Sequence, residues 1–147
     1  EKGLALQNQL MALVDADTMA FDAIMAAFGM PKGTDDQKAK RHQAIQDATR
    51  NAIDIPMQVA QVAHDGLSLA AAMASDGNPS SVTDAGVGAM CLRTAVLGAV
   101  LNARINCGDL EDADYVAQIQ SRCAKLVASA TRQEGEVLAT VDRVMAR

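Results

Sequence analysis

The sequence has no tryptophan, one tyrosine and two phenylalanines, and only three prolines in 147 residues. It also lacks any sustained alternation of apolar and polar residues, so strands are not expected. Cysteines are few and odd in number: Cys91, Cys107 and Cys123, with no C-x-x-C and no histidine-rich spacing. That excludes a disulfide framework or a zinc centre as the expectation. The thiols read as small core residues of a protein in a reducing compartment, the cytoplasm. Positive charge is scarce, and a net charge of −5 argues against a nucleic-acid partner. An anionic small ligand stays open, because local charge decides that. The most apolar region, Val82–Cys107, is interrupted by Asp84, Arg93, Asn102 and Arg104, so no membrane span is expected. No signal-peptide pattern is present. Neither G-x-S-x-G, a phosphate loop, H-E-x-x-H nor a Gly-rich dinucleotide fingerprint occurs.

What remains is a helix-former's composition. Half of the chain is hydrophobic by a wide count, and the length is that of one ordinary domain. The leading segment is Leu10–Phe28. Leu10, Val14, Phe21, Ile24 and Phe28 recur at helical spacing and predict one buried stripe. Asp17 falls inside that stripe. Away from water a carboxylate needs a partner or a raised pKa. Asp17 is therefore either an edge residue with a structural partner or a proton carrier. The first helix is expected over Lys2–Phe28, stopped by Gly29-Met30-Pro31-Lys32-Gly33. Thr34-Asp35-Asp36-Gln37 then reads as a capping box opening a second helix, with acids where the dipole favours them. Pro56 lies inside that helix, and a kink or break is expected near Asp54–Ile55 before resumption to Ser75.

Asp76-Gly77-Asn78-Pro79-Ser80 is a loop, and Ser80 or Ser81 is expected to cap a third helix to Cys107. Its small residues Gly88, Ala95, Gly98 and Ala99 are expected to admit neighbouring backbones. Asp84 and Asn102 share one side of it with Asn106 nearby, while Arg93 and Arg104 point the other way. A fourth helix, about Asp112–Ala146, carries Val116, Ile119, Cys123, Leu126, Ala130, Val137, Val141 and Val144. Short connections between long helices predict an all-α, up-and-down antiparallel bundle in one domain over 1–147. Surplus apolar surface predicts a homodimer with the third or fourth helix near the interface.

Chemistry-bearing residues are sparse. His42 sits in a charged stretch and reads as solvated; His64 reads as a satisfied, partly buried residue. Lys32, Lys38, Lys40 and Arg41 form a basic run that is either a wet helix face or a seat for a ligand's carboxylates. Asp17, Asp84, Asn102 and Asn106 are polar groups on apolar faces. They either satisfy one another in the core or line a pocket between helices.

Four blocks then become recognisable: LVDADTMAFDA, GMPKGTDDQKAKRHQAIQDATRNAIDIP, GNPSSVTDAGVGAM and GAVLNARIN. In this order they resemble the cyclodeaminase/cyclohydrolase family over nearly the whole chain. That family includes the cyclodeaminase half of formiminotransferase-cyclodeaminase and stand-alone methenyltetrahydrofolate cyclohydrolases. The resemblance implies a dimeric helical domain with a tetrahydrofolate derivative as substrate and no metal or other bound cofactor. It implies that Asp17, in the D-A-D motif, is the proton acceptor, with Asp84, Asn102 and Asn106 as site or interface residues. Members usually carry an N-terminal Gly-rich, GGGS-like segment. The chain opens with Glu1 inside a helix, so a preceding segment is expected to be missing. Cyclodeaminase, cyclohydrolase and a non-catalytic folate-binding bundle all remain open.

Overall fold

The computed structural model describes residues 1–146, and within them the chain forms four long helices and no strand. They are α1 (Lys2–Phe28), α2 (Asp35–Asp76), α3 (Val82–Asn106) and α4 (Ala113–Met145). One-turn 3₁₀ segments at Pro79–Ser81 and Cys107–Asp109 join the last three. The up-and-down bundle is as expected. Arg147 lies outside the described residues.

Local signals set the helix ends. The Thr34 hydroxyl accepts from the Gln37 N–H, and the Gln37 side chain accepts from the Thr34 N–H, closing the capping box. The start of α3 differs from expectation. Ser81 precedes it without a side-chain cap bond, and Asn78 instead accepts from the Ser80 N–H to cap the preceding turn. Asp112 caps α4 through the Tyr115 N–H.

The second helix does not break at Pro56. α2 runs unbroken for 42 residues with Pro56 buried inside it. The Ala52 carbonyl, which loses its usual donor at Pro56, accepts instead from Asn106 of α3 and stays bonded. α2 is the central element, and α1, α3 and α4 all pack on it.

The core lies among α2, α3 and α4. Its largest fully buried side chains are Ile53, Met57, Leu67, Val96, Ile119 and Val137. The α4 stripe is buried or half-buried as its spacing predicts. Arg93 reaches Thr131 and Glu134 of α4, on the far side of α3 from Asn102. The α2–α4 seam is tied by Tyr115, whose hydroxyl donates to Asp54 while Arg50 stacks on its ring. Burial, then Asp54, push the Tyr115 phenol well above its usual range. Cys107 and Cys123 are buried and their thiols are pushed up by burial, but Cys91 is exposed and is no core residue.

α1 departs most from expectation. Its buried residues are Ala20 and Ala27, and it touches the rest of the molecule almost wholly through α2. Within the predicted stripe only Leu10 and Ile24 are even half-buried. Val14 is 61% and Phe21 62% exposed. The helix has two apolar faces, and the alanine face gives the closer approach to α2. Leu6, Leu10, Leu13 and Ile24 flank that face half-buried, and Val14, Phe21 and Phe28 are left exposed. Likewise Gly88 and Gly98 admit no neighbouring backbone, since an added Cβ at either would meet nothing within 4 Å. The tight contact on that helix is Gly86, where a Cβ would lie 3.3 Å from Val141.

By length and composition alone the stretch Pro79–Asp109 is long and apolar enough to cross a bilayer despite its interruptions, a test that the core helix of a bundle also passes.

Candidate functional site

Because α1 leans on α2 without closing on α3, a groove stays open between α1 and α3, floored by α2. α1 and α3 run in the same direction, so residues of low number meet at one end and residues of high number at the other. Three cavities follow one another along this groove. The first, about 690 Å³, is lined by Leu6, Leu10, Leu69, Met73, Asp84 and Leu92 among others. The second, about 440 Å³, shares Leu10 with it and adds Asp17, Pro56, Val59, Gly98 and Asn102. The third, about 340 Å³, shares Asp17, Thr18 and Asn102 with the second and adds Phe21, Ala52 and Asn106.

Asp17, Asn102 and Asn106 therefore meet in one cavity. Spacing places them there: Asn102 and Asn106 are one turn apart on α3, and both face α1. Asn106 donates to the Ala52 carbonyl at 2.9 Å and toward Asn102 Oδ1 at 3.4 Å. Thr18, beside Asp17, donates to the Val14 carbonyl at 3.2 Å. The arrangement offers a carboxylate and amide groups against an apolar wall. A carboxylate can take and return a proton there, while amides hold polar atoms of a ligand in place.

A family model described as formiminotransferase-cyclodeaminase matches residues 1–125. The chain belongs to that family. The methenyltetrahydrofolate cyclohydrolase of Methylorubrum extorquens is 33% identical over 141 residues, covering 96% of this chain and 68% of that protein. The formimidoyltransferase-cyclodeaminase of Sus scrofa is 35% identical over 143 residues, 97% of this chain and 26% of its own length. That of Dictyostelium discoideum is 33% identical over 123 residues, 84% of this chain and 22% of its own length. The chain thus spans about a quarter of the length of these last two relatives. The matches agree with the family resemblance carried by the four sequence blocks.

Other predicted site residues lie elsewhere. Asp84 is on the groove side of α3, as its phase with Asn102 requires, but lines the first cavity and not the third. Eighteen residues of helix put it about 27 Å along the axis from Asn102. Asp17 itself is exposed within the single chain, because the face around it is outward and not in the core. The desolvation expected for it is absent there.

The basic run lines none of these three cavities. Lys38 pairs with Asp35 and Lys40 with Asp36, each at 2.8 Å on the surface. Arg41 donates to the Phe28 carbonyl at 3.3 Å and covers the Phe28 ring, closing the end of α1. These residues and Lys32 sit at the α1–α2 corner, past the Asp17 end of the groove. His42 meets Glu111 at 2.9 Å on the surface. His64 packs between α2 and α4, with Nε2 2.8 Å from the Ser129 hydroxyl and 2.9 Å from Gln133 Nε2. Its Nδ1 is buried without a hydrogen-bond partner, so it is satisfied at one nitrogen only.

The sequence did not single out Thr18, Phe21, Gly98 or Ala52 as groove residues. Thr18 adjoins a motif residue, and Pro56 announces a carbonyl without its usual donor four residues earlier. Phe21 and Gly98 carried no comparable signal.

Proposed function

We propose that the groove binds a one-carbon tetrahydrofolate and that the chain closes formiminotetrahydrofolate to methenyltetrahydrofolate, releasing ammonia. The observation that carries this reading is the meeting of Asp17, Asn102 and Asn106 in one cavity. The anilino nitrogen attacks the formimino carbon and a carbon–nitrogen bond forms. That nitrogen must lose its proton, and the departing amino group must gain one. Asp17 serves as base and then as acid, so the proton is carried from one nitrogen to the other. The reaction needs no metal or second cofactor.

A second reading is favoured by the Methylorubrum relative, which is named a methenyltetrahydrofolate cyclohydrolase and of which the chain covers 68%. Methenyl hydrolysis passes through a similar tetrahedral carbon, with water in place of ammonia, and uses the same carboxylate. Incubating the protein with each folate, and following methenyl absorbance together with ammonia, separates the two. Absorbance rising with ammonia release is expected. Absorbance falling without ammonia selects the cyclohydrolase, and no change with either folate leaves a non-catalytic bundle.

The folate's glutamate tail is proposed to leave past Phe21 toward Lys32, Lys38, Lys40 and Arg41. The lysine pairs there are exposed, and such pairs contribute little, so a ligand carboxylate can replace them. Binding that weakens with salt supports this, and salt-independent binding removes it.

A homodimer is part of the same reading. Val14, Phe21 and Phe28 of α1 and Leu101 and Ile105 of α3 leave large apolar side chains exposed on the surface of these two helices. A second copy covers them, which gives the apolar α3 a neighbour without a bilayer. The cytoplasm is the proposed setting, in keeping with three free thiols.

A further inference from the structure

Pro56 has a consequence across the groove. In an α-helix the carbonyl of residue 52 accepts the N–H of residue 56. Proline has no N–H, so the carbonyl of buried Ala52 loses that donor. Asn106, from α3, supplies the replacement: its Nδ2 lies 2.9 Å from the Ala52 oxygen. The same Nδ2 approaches Asn102 Oδ1 at 3.4 Å, so its two hydrogens serve two acceptors. With its oxygen turned to Asn106, Asn102 has its own NH₂ turned away from Asn106. Asn102 lines both cavities that Asp17 lines, whereas Asn106 lines only the third.

We infer that Asn106 is a positioning residue, anchored by the carbonyl that Pro56 leaves open, and that it aims the Asn102 amide donors into the cavity of Asp17. In this relay Asn102 is the group that touches substrate. The backbone gap at Pro56 sets the direction of an amide one helix away. The inference rests on the proposed folate reaction for its kinetic consequence, but the hydrogen-bond relay itself needs no ligand.

The test separates capping a carbonyl from aiming an amide. Asn106→Ala removes both functions, so the melting temperature and turnover both fall. Adding Pro56→Ala returns a backbone N–H to the Ala52 carbonyl, so stability recovers. Turnover is expected to stay down about 10²-fold, the usual scale for a displaced group, with kcat falling more than KM rises. Asn102→Ala is expected to lose at least as much, and adding the other two substitutions to it loses nothing further. Recovery of turnover together with stability in Pro56→Ala/Asn106→Ala would overturn the inference, leaving Asn106 as a cap alone. The side-chain amide resonances of Asn102 in labelled, ligand-free protein give a second readout. They are expected to shift toward those of a free amide in the double variant, and unchanged resonances overturn the relay. A parent chain inert toward both folates defeats the proposed reaction alone, and these resonances still decide the relay.

Discussion

Asp17→Asn isolates the chemistry from the fold. The substitution keeps the size and the hydrogen-bonding capacity of the side chain but removes a proton that can be exchanged at neutral pH. Asp17 is exposed on the outward face of α1, so the change in folding stability is expected within about 0.5 kcal/mol. The change in turnover is far larger. Loss of a general acid–base group lowers rate by about 10²–10⁴-fold. At about 1.36 kcal/mol per factor of ten, that is roughly 2.7–5.4 kcal/mol of barrier. Half a kcal/mol of stability leaves nearly every molecule of an ordinary domain folded, so unfolding cannot account for such a loss. Asp17→Leu sharpens the comparison. A leucine in a buried stripe would add stability, but beside exposed Val14 and Phe21 it only widens an apolar surface. No gain is expected in the monomer, and activity is lost. The assay pairs melting by circular dichroism with methenyl absorbance and ammonia release on the same preparations. An Asp17→Asn protein that is stable and fully active would refute the catalytic assignment.

Gly98→Leu is expected to intrude into the middle cavity, about 440 Å³ in volume, and narrow it while the fold survives, since nothing lies within 4 Å of its added Cβ. Folate binding measured by titration should vanish with little change in melting temperature, and intact binding would place the ligand elsewhere. Phe21→Asp and Ile105→Asp put charge on surfaces that are 62% and 74% exposed in one chain. Sedimentation should show monomers for these variants and dimers for the parent, and an unchanged mass would remove the proposed interface. Asp112 carries a pH dependence. The Tyr115 N–H, then Arg50, hold its carboxyl below the usual carboxylate range in the folded chain. The stability it contributes is present above the unfolded value and is lost as pH falls through the lowered folded value. Asp112→Asn should therefore flatten the fall in melting temperature between about pH 5 and pH 2, and an unchanged acid limb would reject the assignment.

Four helices, their ends and their antiparallel order were legible in the residues themselves. Capping at Thr34, the stop at Gly29–Gly33 and the α4 stripe are local features, and local backbone chemistry decides them. The family was legible too, because four blocks keep their order along the chain. Which face of α1 turns inward was not. Periodicity finds an apolar face, but when a helix has two, only packing chooses, and the alanine face fitted α2 better than the Val14–Phe21 face. Pro56 announced a lost donor, yet whether the helix broke or held depended on tertiary partners such as Asn106 of α3. The side shared by Asp84 and Asn102 follows from helical phase alone. Their separation into two cavities, and the meeting of Asn102 and Asn106 with Asp17, required the placement of α1 against α3. That placement is set by long-range contact between side chains far apart in the chain, which no local pattern encodes.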